Sequence, residues 1–267
     1  MTIKMIACDM DGTLLDSQRH ISGRTQKAIQ AVIAKGIIFI IATGRMYPAA
    51  KPFAEQLGLD IPMVTFNGAL IRGSRSGEIF LEQPIKLSTA QELLDYIKVT
   101  GHYANFYVGD TLYIKEHNDY SQAYGKMQGV TTCIEALGDD FYKAVGRPYK
   151  VLLMMEPEET KTAFGEFQRR FAGKLDVTQS HPMFLELMEP GVNKWQAIKS
   201  LAQKYGIKAE EIMCFGDSRN DLEMVAHAGC GVAVGNAVDE LKQAAKIITA
   251  TNDEEGVARV LESLLDK

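Results

Sequence analysis

The chain has 267 residues, 46% hydrophobic and 24% charged, an ordinary globular composition that excludes disordered, collagen-like and coiled-coil chains. Lys plus Arg (29) against Asp plus Glu (34) leave a net charge of −5, which argues against a nucleic-acid partner but leaves room for a small phosphorylated ligand. No apolar run reaches the ~18 residues of a membrane span, Asp9 and Asp11 interrupt any leader-like stretch, and four scattered cysteines form no CxxC pair, so the expectation is a cytoplasmic protein with no membrane partner.

Ile3 to Cys8 reads as a strand ending in acid and glycine. Residues 22–35 follow as an amphipathic helix with Ser22 as N-cap, closed by Gly36. Residues 37–42 (IIFIIA) read as a strand buried on both faces, then a helix near Tyr47 to Leu57 and a strand at Pro62 to Phe66. The next stretch changes character. Residues 83–189 hold eight of the ten tyrosines and three of the five histidines. Strands are expected at 104–108, 111–114, 150–155 and 183–187, with helices over 88–99 and 157–172. Pro84 and Pro190-Gly191 bracket this insert, which is too long for a loop. After it the first grammar resumes: helix 193–205, strand 211–215, helix 220–228, strand 231–234, helix 237–245, a strand-like 247–250 and a terminal amphipathic helix. The expected fold is α/β, a Rossmann-like parallel sheet core (1–82 and 190–267) with an inserted α+β domain (83–189).

Four segments carry chemistry. Asp9-Met10-Asp11-Gly12-Thr13 follows a strand, where two carboxylates spaced by two suit a hard divalent cation such as magnesium; alone it is equally a solvated acidic turn. Thr43-Gly44-Arg45 ends the second strand, offering a hydroxyl and backbone amides to phosphate oxygens, or simply a turn. Asp217-Ser218-Arg219-Asn220-Asp221 ends another strand; capping explains Ser218 or Asn220 but not so many acids. Lys194 opens a helix, where the macrodipole gives a cation nothing. All four lie at strand ends or helix starts, so one sheet edge can gather them into a metal-assisted phosphoryl-transfer site.

DMDGT, TGR, the isolated lysine and GDSRND, in this order, resemble the four motifs of the haloacid dehalogenase-like hydrolases. Asn67-Gly68-Ala69, residues 191–194, residues 231–237 and residues 252–258 resemble the Cof-type phosphatases, whose C2-type cap is inserted between the second and third motifs. The resemblance implies a magnesium-dependent phosphatase of small phosphorylated metabolites: sugar phosphates, nucleotides or phosphorylated cofactors. It implies Asp9 as nucleophile and Asp11 as acid and base, with magnesium held by Asp9, the Asp11 carbonyl and Asp217, and Asp221 beside them. Met10, Thr43, Gly44, Lys194 and Asn220 would hold the phosphoryl oxygens. Arg45, Tyr47, Asn67 and Trp195 are expected near the substrate. Trp195 departs from the small residue usual in the family and reads equally as a packing aromatic; Val234 replaces a common methionine. A phosphomutase, a receiver-like phosphoacceptor and a non-catalytic phosphometabolite-binding protein are the alternatives, and oligomeric state is left open.

Overall fold

Met5–Asp9 (β1) is the buried run MIACD. A computed structural model describes residues 2–58, 60–128, 133–144 and 146–266. Gly23–Ala34 (α1) follows, its N-terminus capped by the Ser22 Oγ accepting from the Thr25 amide. Ile38–Ala42 (β2), Tyr47–Glu55 (α2) and Pro62–Thr65 (β3) continue the alternation, and Leu70–Gly73 (β4) and Ile79–Glu82 (β5) complete this segment.

The insert contributes Leu87–Thr100 (α3), Tyr103–Val108 (β6), Thr111–Ile114 (β7), Asp119–Gln128 (α4) and Cys133–Ala136 (β8). Phe141–Ala144 (α5), Lys150–Met154 (β9), Pro157–Arg170 (α6), Asp176–His181 (β10) and Phe184–Met188 (β11) follow. The last segment adds Lys194–Lys204 (α7), Ile212–Gly216 (β12), Leu222–His227 (α8), Cys230–Ala233 (β13), Asp239–Ala244 (α9), Ile247–Ile248 (β14) and Gly256–Leu265 (α10). No helix among the described residues is long and apolar enough to cross a membrane.

Packing divides the chain into two units. One holds residues up to Arg45, Ala50–Glu82 and the chain from Asn193 onward; the other holds Met46–Ala49 and Gln83–Val192. The sheet of the first unit runs β14-β13-β12-β1-β2-β3-β4-β5. The six strands from β14 to β3 are parallel, and β4 and β5 extend them antiparallel. The α/β expectation holds, with that antiparallel pair as a correction. Both of those strands have only four residues, and β5 leaves Ile79 exposed, so their place comes from ladder hydrogen bonds, β4 to β3 and β5 to β4, rather than from an apolar pattern.

From β1 the chain winds through β2 to β3, whereas from β12 it winds the opposite way through β13 to β14. Right-handed crossovers put the helices of the two windings on opposite faces of the sheet. The strand order therefore reverses between β1 and β12, the crevice where open α/β sheets place ligands.

The second unit is a six-stranded sheet, β10-β11-β9-β6-β7-β8, antiparallel except for β7 with β8. Alternate residues Ala104 and Phe106, Val151 and Leu153, Leu185 and Leu187 pack with Leu93, Leu94 and Ile97 of α3 and Phe167 of α6. Elements β8, β10, α4 and α5 escape the sequence pattern. The DVTQSH run of β10 is mostly polar and is held by its pairing with β11.

Candidate active site

Asp9 ends β1 and is only 4% exposed. Across the reversal, β12 ends at Gly216, and Asp217 and Asp221 follow within one turn. Oxygen atoms of Asp9, Asp217 and Asp221 lie within 4.8 Å of one another. The helix expected from Asn220 opens instead as a 3-10 turn, Arg219–Asp221, before α8. Ser218 precedes that turn and Asp221 closes it, reaching back so that its Oδ2 accepts the backbone amides of Asp217 and Ser218 at 3.1 Å each.

Lys194, the first residue of α7, is buried beneath this cluster. Its Nζ donates to Asp9 Oδ1 at 2.5 Å and to Asp221 Oδ1 at 2.7 Å. Burial alone would pull its pKa down, but the Asp221 and Asp9 carboxylates hold it above the ordinary lysine value. Burial and the neighbouring Asp221 charge push Asp9 well above the usual carboxylate range, against the pull of Lys194. They raise Asp217 as well, where the Thr13 hydroxyl, donating to Oδ1 at 2.9 Å, opposes the rise.

The turn after β1 is tightly determined. Gly12 has φ +77, and a Cβ there would lie 2.7 Å from Asp217 Oδ2, so only glycine lets the two strand ends approach. Asn236 Nδ2 donates to the Gly12 carbonyl at 2.7 Å. Asn252 joins the clamp: its amide donates to Asn236 Oδ1 at 3.0 Å and its Nδ2 to the Leu15 carbonyl at 2.9 Å. Sequence reasoning assigned these two asparagines no role; their only signal was their place in the 231–237 and 252–258 patterns.

Asp11 leaves the buried cluster. Its side chain is half exposed and is gripped by Arg45, with Nε at 2.7 Å from Oδ2 and Nη2 at 2.5 Å from Oδ1. The guanidinium also lies 5.1 Å from the centre of the Phe53 ring. Thr43 is buried, its hydroxyl accepting the Arg45 amide at 3.1 Å. Asn220 Nδ2 donates to Asn67 Oδ1 at 3.1 Å, which joins the third strand end to the others. Met10 is wholly buried, with its carbonyl accepting the Leu15 amide. Trp195 is buried with its ring 5.9 Å from that of His227 on α8. Tyr47 opens α2 and belongs to the second unit.

Three carboxylates against one ammonium leave two formal negative charges uncompensated in a largely buried cluster. An all-oxygen donor set with that charge fits a hard divalent cation, and magnesium in particular.

The model of the family described as haloacid dehalogenase-like hydrolase matches residues 6–261. A protein of Haemophilus influenzae is 33% identical over 264 residues, 98% of each chain. The 5-amino-6-(5-phospho-D-ribitylamino)uracil phosphatase YitU of Bacillus subtilis is 32% identical over 271 residues, 96% of each chain. Among solved structures, a haloacid dehalogenase-like hydrolase from Bacteroides thetaiotaomicron superposes with a TM-score of 0.90 at 29% identity, covering 98% of this chain and 100% of that one.

Proposed function

We propose a function from one premise: the chain belongs to the haloacid dehalogenase-like hydrolases. It is a phosphatase that acts on small phosphorylated metabolites, depends on magnesium and passes through an aspartyl-phosphate. The observation that carries this reading is Asp9 at the strand-order reversal, buried with Lys194 against Asp217 and Asp221, with Asp11 two residues on.

The Asp9 carboxylate attacks phosphorus, forming the O–P bond of an acyl phosphate as the ester O–P bond breaks. Asp11 gives its proton to the leaving oxygen. Asp11 then takes a proton from water, whose oxygen attacks the same phosphorus. The acyl phosphate breaks, Asp9 is restored and inorganic phosphate leaves. The Arg45 fork engages both Asp11 oxygens, so it has to release one of them for Asp11 to carry the proton through these steps. Lys194 offsets the repulsion between Asp9 and a phosphate dianion. Thr43, the Met10 and Gly44 amides and Asn220 hold the phosphoryl oxygens. Magnesium would be held by Asp9, the Asp11 carbonyl and Asp217, with Asp221 behind them, and when bound it supplies a fixed divalent charge facing the phosphoryl group. The tyrosine-rich insert is assigned as the cap that selects the leaving group.

The test is phosphate release from a panel of sugar phosphates, nucleotides and phosphorylated cofactors, with magnesium and then with a chelator. Because YitU carries that name, 5-amino-6-(5-phospho-D-ribitylamino)uracil belongs on the panel. Asp9→Asn is expected to lower kcat by about 10³-fold or more while circular dichroism stays native. Near-native turnover in that variant overturns the covalent route, and turnover that survives chelation overturns the metal.

A further inference from the structure

Immediately after β3 the backbone does something costly. Phe66, Asn67 and Gly68 have φ of +51, +53 and +118, three left-handed residues in succession, and all are buried. A bulky residue such as phenylalanine avoids that region, so the surroundings must impose it. They do so with two backbone bonds: the Phe66 amide donates to the Arg45 carbonyl at 2.9 Å, and the Asn67 amide to the Thr43 carbonyl at 3.1 Å.

The turn meets three of the segments placed around the phosphoryl group in the reading above. A Cβ on Gly44 would lie 2.8 Å from Asn67 Oδ1, so the Asn67 amide rests directly on the second motif. A Cβ on Gly68 would lie 2.4 Å from the Asn193 carbonyl, so the N-terminus of α7, with Lys194 as its first residue, is seated on this glycine. Asn67 Oδ1 accepts from Asn220 Nδ2 at 3.1 Å.

That last bond decides an orientation. The Asn220 amide has one oxygen and a nitrogen bearing two hydrogens. Its oxygen accepts from the Ser218 hydroxyl at 2.7 Å, and one nitrogen hydrogen goes to Asn67. The second nitrogen hydrogen is the group left to meet a phosphoryl oxygen. Without Asn67 the amide is free to turn over and present its own oxygen, which repels phosphate.

We infer, on the phosphatase reading, that Asn67 is a positioning residue: it acts through Asn220, fixing which face of that amide meets the phosphoryl group. The strained turn places its side chain between Gly44 and Asn220, and the left-handed backbone is maintained for that placement.

A double-mutant cycle tests this. Asn67→Gly removes the amide while keeping a residue that accepts positive φ, so the melting temperature is expected to hold. The affinity of inorganic phosphate, measured by calorimetry, is expected to fall about tenfold in Asn67→Gly, with a matching fall in kcat/KM. In an Asn220→Ala background the same change is expected to add less than about twofold. Ser218→Ala removes the other bond to the Asn220 amide and leaves Asn67 in place, so phosphate affinity is expected to stay within about twofold of wild type; a tenfold fall there overturns the assignment of the orientation to Asn67. Equal effects in both backgrounds, or a wild-type phosphate affinity in Asn67→Gly, overturn the inference. Wild-type protein that binds phosphate but releases none from any ester overturns the phosphatase reading instead, and the calorimetric cycle still decides Asn67. Wild-type protein that binds no phosphate overturns both.

Discussion

Lys194 is 1% exposed and bonded to two carboxylates, so its value lies in what its loss would leave behind. Removing one member of a buried ion cluster strands the others without compensation, at a cost of about 3–5 kcal/mol. Lys194→Ala is therefore expected to lose roughly that much stability in urea titrations, alongside its loss of phosphatase activity; a variant with wild-type stability would mean the carboxylates are relieved by some other group. How far such residues could be read from the chain depended on their chemistry. Asp9 and Lys194 were legible because an acid at a strand tip and a lysine at a helix start run against ordinary local preference, and Asp217 and Asp221 because helix capping does not ask for so many acids together. The Arg45 grip on Asp11 was not, since nothing in the spacing of TGR shows that its fork reaches back to the first strand. Neither was the Asn236 and Asn252 clamp, because asparagine between a strand and a helix reads first as turn chemistry.

Among the elements, α1 and α10 show how a polar seam joins segments from opposite ends of the sequence. Ser22 caps α1 by accepting from the Thr25 amide and donates to Glu255 at 2.5 Å, while Arg24 bridges Glu255 and Glu262 of the α10 region. Ser22→Ala removes the cap and the link together, and is expected to cost about 1 kcal/mol, seen as a lower melting temperature with unchanged kcat. A fall in kcat at constant KM would show instead that this seam reaches the active site. The strongly patterned elements, β1, β2, β12 and α7, were legible because burial on both faces leaves an unbroken apolar run, and burial on one face leaves a helical stripe. Elements β4, β5, β8 and β10 were not. Their residues take strand geometry from a neighbour's hydrogen bonds, a long-range cause that no local window carries.

At the scale of the whole molecule the acid cluster ties stability to pH. Asp9 and Asp217 have pKa values raised in the folded state, first by burial and then by Asp221. Between the unfolded value of about 4 and the raised folded values, the metal-free native state binds more protons than the unfolded chain. These two groups therefore make the metal-free protein less stable as pH rises through that window. Several surface carboxylates act in the opposite sense: the hydrogen bond from Arg24 lowers Glu262, and those from Ser22 and Arg24 lower Glu255, so their stabilisation is lost as pH falls. The discriminating readout is accordingly the rise in melting temperature on adding magnesium, expected to be small at acid pH and to grow toward neutrality. An increment independent of pH would mean that the cation binds away from Asp9 and Asp217.

The pairing of β1 with β12, in which Cys8 lies opposite Phe215, joins the two ends of a long chain at the middle of one sheet. During synthesis β1 emerges early and β12 late, with the whole insert between them. Until residues 212–216 leave the ribosome, the strand that carries Asp9 presents an unpaired apolar edge, the kind of surface that invites aggregation. The insert has its own hydrophobic core and is wholly synthesised before β12. Nascent chains that stop short of β12 should consequently need a chaperone's protection, and the candidate active site cannot form until residues 217–221 have been made.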